Sequence, residues 1–134
     1  MIKALITGSR TWADREAIAA ALVVHRVTEI AQGGALGADC LAWRVASALK
    51  IKNTTYSANW IKHGKAAGPI RNGEMLADFK PDIVLAFWDG QSHGTRDMID
   101  KSRKAGLTVW VYFPDGSRSK LAPIGGAEKP PLFL

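Results

Sequence analysis

Two hydrophobic periods alternate along the chain. Lys3-Ala4-Leu5-Ile6-Thr7 is a short β-like run that breaks at Gly8-Ser9-Arg10. Asp14 then stands as an N-cap before a segment whose Ile18, Ala21, Leu22 and His25 share one face at helical spacing. A second β-like run over 27–31 leads into Gly33-Gly34-Ala35-Leu36-Gly37-Ala38-Asp39, and a helix follows with Leu41, Val45, Ala48 and Leu49 inward. Residues 54–58 read as a third, weaker strand, and 60–65 as a loop or short helical turn. Gly68-Pro69 opens another helix, since proline suits a first helical turn, with Met75 and Leu76 as its apolar positions. The run 82–88 is continuously apolar after Asp82, the mark of a strand covered on both faces. A loop over 89–93, a helix opened by Gly94-Thr95 and ended near Gly106, and a last strand over 107–113 complete the pattern.

Strands alternating with helices predict one Rossmann-like α/β domain over residues 1–113, a three-layer α/β/α sandwich with a mainly parallel sheet of about five strands. From Pro114 the pattern dissolves into Gly, Pro, Ser and Lys, which predicts a C-terminal extension over 114–134 that is mobile or contacts a neighbouring subunit. The 134 residues are 47% hydrophobic and 22% charged, as in an ordinary globular domain. Cys40 is the only cysteine, which excludes an intramolecular disulfide and a cysteine-only metal site; neither a metal nor a cofactor is expected. No signal peptide and no apolar stretch near the ~20 residues of a membrane span are found, so the expected location is cytoplasmic, without membrane contact. The net charge of +6 suits a phosphate-bearing partner. A solvated surface accounts equally well for the part of it in Lys101, Arg103, Lys104, Arg118, Lys120 and Lys129.

Candidate chemistry sits in the turns that lead from strand ends to helix starts, which an open parallel sheet lines up along one edge. Helix N-termini offer unpaired amides and a positive dipole end, and glycine lets a ligand approach the backbone. In the first turn, Gly8, Ser9 and Arg10 offer a hydroxyl and a guanidinium to a phosphate, or form a plain turn. In the second, Gly33, Gly34, Gly37 and Asp39 match neither the dinucleotide fingerprint nor a P-loop, and Asp39 alternatively caps the helix. In the third, Gly94 and Thr95 present an amide and a hydroxyl, with His93 beside them. Gly68, Arg71 and Asn72 lie between these turns. An arginine near a helix start opposes the dipole, which makes Arg71 the foremost single candidate. Trp88 and Trp110 read as core residues. Trp12 and Trp60 flank the loops, where they either stack on a base or pack in a core or dimer.

Together, Thr7-Gly8-Ser9-Arg10, the turn from Gly33 to Asp39, Trp60 with His63-Gly64, Ala67-Gly68-Pro69-Ile70-Arg71-Asn72 with Met75, and Gly94-Thr95 resemble the YspA-type, YpsA-related branch of the SLOG superfamily over residues 1–113. That resemblance implies a Rossmann-like fold and a nucleotide-like ligand. The superfamily includes the LOG phosphoribohydrolases, which cleave the base from nucleoside 5′-monophosphates, and the DNA-processing protein DprA. Two departures stand out. Leu36 occupies a position where relatives carry arginine, and Met98 occupies that of the LOG catalytic glutamate, whose partner arginine Arg71 matches. Asp97 and Asp100 are the nearest carboxylates, and a neighbour on a helix points about 100° away.

Three functions are therefore weighed. The first is a binding module for a nucleotide or nucleotide-derived ligand, acting as a sensor or sequestering protein. The second is a LOG-like phosphoribohydrolase using Arg71 with Asp97 or Asp100. The third is a DprA-like single-stranded nucleic-acid binder using basic surface and tryptophans. Relatives commonly form dimers or tetramers, and the apolar end Leu132-Phe133-Leu134 is compatible with a homo-oligomer.

Overall fold

The computed structural model describes residues 1–124. Within them lie strands β1 (Lys3–Gly8), β2 (Glu29–Gln32), β3 (Lys52–Thr55), β4 (Ile83–Phe87), β5 (Val109–Tyr112) and β6 (Arg118–Leu121). They form one sheet in the order β3-β2-β1-β4-β5-β6, parallel except where β6 returns antiparallel beside β5. Helices α1 (Arg15–Val24) and α2 (Ala38–Leu49) cover one face. On the other face lie α4 (Ala67–Phe79) and α5 (His93–Lys104). Between β3 and α4 runs a one-turn helix, α3 (Trp60–His63).

Alternation within the central strands sorts the core. Ile6, Leu85 and Phe87 pack toward Ile18, Leu22 and Val45 of α1 and α2. Leu5, Val84 and Ala86 pack toward Met75 and Phe79 of α4 and Met98 and Ile99 of α5. Both faces of β1 and β4 are thus dry, which is why β4 reads as an unbroken apolar run and β1 has an apolar centre at Ala4-Leu5-Ile6. The Asp14 carboxylate accepts the Ala17 amide at 3.0 Å and caps α1 as expected. Among the described residues no helix is long and apolar enough to cross a membrane.

The sheet carries six strands rather than about five. The extra one lies in the segment read as an extension: Pro114-Asp115-Gly116-Ser117 turns the chain, with Gly116 at φ 90° and the Asp115 carboxylate accepting the Ser117 amide. Beyond β6, the Ile124 amide donates to the Arg103 carbonyl and the Arg103 side chain to the Ala122 carbonyl. Residues 114–124 are therefore joined to the sheet and to α5. The apolar end at Leu132–Leu134 lies outside the described residues.

Candidate functional site

A cavity of about 450 Å³ lies over the carboxyl ends of β1, β2 and β4. Gly8, Arg10, Gly33, Asp39, Gly68, Arg71, Asn72, Gly94 and Thr95 line it. The other predicted residues stand behind or beside it. Ser9 is buried, its hydroxyl accepting the Asp89 amide at 2.9 Å and its carbonyl the Trp12 and Ala38 amides. Gly37 lies under the first turn. A Cβ there would run into the carbonyl oxygens of Ser9 and Arg10, and its φ of +77° disfavours a side chain in any case. Gly34 borders a smaller adjoining cavity.

The second glycine turn is closed upon itself, which the sequence did not reveal. The Asp39 carboxylate accepts the Gly33 and Ala35 amides through Oδ2, each at 3.2 Å. The Gln32 side chain accepts the Gly34 amide, and the first amide of α2, from Ala38, is bonded to Ser9. The anion slot that a glycine turn and a helix start offer is here filled by the protein's own carboxylate and carbonyl. Asp39 is almost wholly buried and its Oδ1 has no partner. Burial pushes its acid up to about 6, against the pull of the two amides and of Arg71.

Arg71 spans the site. Its Nη1 donates to the Gly33 carbonyl at 2.6 Å and to the Tyr56 carbonyl at 3.2 Å, and its Nε donates to Asn72 Oδ1 at 3.0 Å. Gly33 is thus held from both sides, its amide by Asp39 and its carbonyl by Arg71, and a Cβ on it would overlap the guanidinium. The other terminal nitrogen, Nη2, has no hydrogen bond among the described residues and is not one of the buried unpartnered atoms. Burial lowers the Arg71 pKa; the Asp39 charge raises it and that of Arg10 lowers it again. Neither arginine forms an ion pair among the described residues. The two guanidiniums share the cavity and repel each other, a repulsion that the buried Asp39 charge offsets at Arg71 and that a bound anion would relieve further.

The start of α5 supplies the free amides. Ser92 is its N-cap, but the Ser92 side chain bonds Thr95 Oγ1 rather than a backbone amide. Asp89 fastens the preceding loop by accepting the Gln91 and Ser92 amides, which hold its carboxyl below the usual range. His93, Gly94 and Thr95 of the first turn of α5 line the cavity, and a helix start leaves its first amides without an intrahelical acceptor. The side chain of Asn72 donates to the Gly94 carbonyl and to Asp97, tying α4 to α5. Thr95, Met98, Ile99 and Ser102 form the buried stripe of α5, so Met98 is core. Asp97 lines the cavity, paired with Lys101 at 2.6 Å. Asp100 is exposed and does not line it.

Sequence reasoning did not single out Lys65, Asp89 or Thr11, which also line the cavity. Lys65 was legible only as part of a loop, because no periodicity marks a residue brought in by the single 3₁₀ turn, Gly64–Ala66, that follows α3. Trp12 packs against Phe87 in the core, whereas Trp60 borders the cavity.

A parallel sheet whose strand order reverses beside β1, with a polar cavity over that reversal, defines a Rossmann-like α/β domain. The chain belongs to the YspA, cpYpsA-related SLOG family, whose model matches residues 2–63. It is 41% identical to the gene 61 protein of Mycobacterium phage D29 over 125 residues, 86% of this chain and 98% of that protein.

Proposed function

We propose that the chain binds a nucleotide or nucleotide-derived ligand in the cavity, acting as a sensor or sequestering protein in the cytoplasm of a phage-infected or bacterial cell. The observation that carries this reading is the pair of guanidiniums, Arg10 and Arg71, that form no ion pair among the described residues and line one cavity with the start of α5. Family membership supports a nucleotide-related ligand. Asn72 and Thr95 position the sugar, while Ser9 and Asp39 order the loops.

Calorimetry with a panel of nucleoside mono- and diphosphates, joined to native mass spectrometry of freshly purified protein, tests it. A bound nucleotide is expected. Arg10→Ala removes a rim cation and should weaken binding without lowering the melting temperature. Unchanged affinity in both Arg10→Ala and Arg71→Ala would sink the site assignment.

The placement of Asp97 favours a second reading, a LOG-like phosphoribohydrolase. Its carboxylate lines the cavity near Arg71 although Met98 is core, where it would assist departure of the base or activate water. Release of free base from a nucleoside monophosphate, lost in Asp97→Asn, is the expected result for that activity. Intact monophosphates after prolonged incubation would dismiss it.

A further inference from the structure

We infer that the smaller cavity beside the main one is a separate seat for a flat, uncharged aromatic ring, with Trp60 as its stacking face and Leu36 as its opposite edge. This rests on the reading of the main cavity as a nucleotide site. The smaller cavity, of about 270 Å³, shares Arg10, Gly33, Ala35, Trp60 and Arg71 with its neighbour, so the two form one bent groove with the guanidiniums at the bend. Beyond the bend its lining is Leu36, Ser57, Ala58 and the Gly34 backbone, with no charged group of its own.

Two large apolar side chains stand open there. Leu36 is 72% exposed at the tip of the glycine turn, and Trp60 is 51% exposed on α3, a helix with no buried residue. Local structure holds both in place. The Asn59 carboxamide caps α3 by accepting the Lys62 amide at 3.0 Å. The Trp60 ring lies across Gly68, its Cη2 3.6 Å from where a Cβ on that glycine would stand. The indole therefore rests against the start of α4 with no side chain of Gly68 between them. Leu36 is carried by a turn whose amides Asp39 and Gln32 secure.

Guanidiniums and an indole face together at the junction of the two cavities match a nucleoside 5′-phosphate whose phosphate meets Arg10 and Arg71 and whose base stacks on Trp60 toward the smaller cavity. A second phosphate does not fit the far end, because no cation lines it beyond the shared arginines. Base–aromatic stacking tolerates any base, and the Ser57 hydroxyl and the Trp60 indole N–H are the uncharged side-chain hydrogen-bonding groups in that lining that could favour one base over another.

Titration calorimetry at fixed salt with ribose 5-phosphate and with AMP, GMP, CMP and UMP separates the two parts of the groove. The wild type should bind at least one nucleotide about tenfold or more tighter than ribose 5-phosphate, the size of one stacked base. Trp60→Ala should erase that gap while leaving ribose 5-phosphate affinity within about twofold, and Trp60→Phe should keep most of it. Equal wild-type affinities for ribose 5-phosphate and the nucleotides overturn the ring seat alone. So does a Trp60→Ala loss that falls equally on both probes, or a change in sedimentation with the gap intact, which would make Trp60 a subunit contact. If neither ribose 5-phosphate nor any nucleotide binds the wild type, the nucleotide reading falls and the ring seat with it.

Discussion

At the scale of single residues, the site depends on two charged groups that grip one glycine. Arg71 serves the fold and the cavity at once, so Arg71→Ala should cost stability as well as binding. About 2–3 kcal/mol is expected in chemical denaturation, from two carbonyls left without their donor. Arg71→Lys should regain part of the stability but less of the binding, because an ammonium cannot bond two carbonyls and an anion in one plane. Asp39 carries a pH signature. Its acid is raised in the folded state to about 6, so the neutral form is favoured by folding. The stability it contributes is complete below about pH 4 and is lost as pH rises through 6. The melting temperature of Asp39→Asn should therefore lack this decline between pH 4 and 6, and at pH 8 the variant should match or exceed the wild type. Asp89 and Asp115 act in the opposite sense. Their lowered acids contribute stability that disappears as pH falls below about 4; the lowered His25 imidazole adds an opposite trend below about 6.5 in wild type and variant alike, so the Asp39 window is read from the difference between the two. The identities of Arg71, Asp39 and Gly33 were legible in the sequence, but their division of labour was not. A glycine turn looks the same in sequence whether its amides await a phosphate or are already taken by an aspartate six residues on.

At the scale of elements, the strands and helices with a dry face were readable. β4 is a continuous apolar run, β1 has an apolar centre at Ala4-Leu5-Ile6, and α1 and α5 keep clear buried stripes. β6 is not legible for a physical reason. Arg118-Ser119-Lys120-Leu121 is an edge strand with three exposed residues, so no alternation marks it, and Pro-Asp-Gly before it reads equally as a tail or a turn. A chain ended after Phe113 should therefore melt earlier and scatter more light, because Val109–Tyr112 would become an open, apolar edge. Equal melting of the two lengths would show β6 to be dispensable. The seam between the first and second turns gives another test. Gly37→Ala should lower stability by more than about 2 kcal/mol, since the new methyl meets two backbone carbonyls and the backbone there is already left-handed. The same substitution at Gly73, where a Cβ meets nothing within 4 Å, should be mild or stabilising by comparison.

At the scale of the whole molecule, the cavity draws on loops from both halves of the chain, so ligand binding and folding are linked. A ligand at a hundred times its dissociation constant adds ~2.7 kcal/mol to stability, which for a domain of this size raises the melting temperature by roughly 8–10 °C. A thermal-shift screen of phosphates, sugars and nucleotides should show graded shifts that vanish in Arg10→Ala. The sheet order has another consequence, for synthesis. β1 lies between β2 and β4, and Ala4 pairs with Ile83, so the first strand waits for a partner made much later. Residues 2–63, which carry the family match, hold β1 to β3 but lack that partner and both helices of one face. A fragment of this length should remain unfolded. On the ribosome the nascent amino-terminal half must stay unsettled for several seconds, at ~5–20 residues per second, before the strand that completes it emerges. Through that interval Ala4, Leu5 and Ile6 lack the neighbour that finally shields them, which makes this stretch the natural foothold for a chaperone.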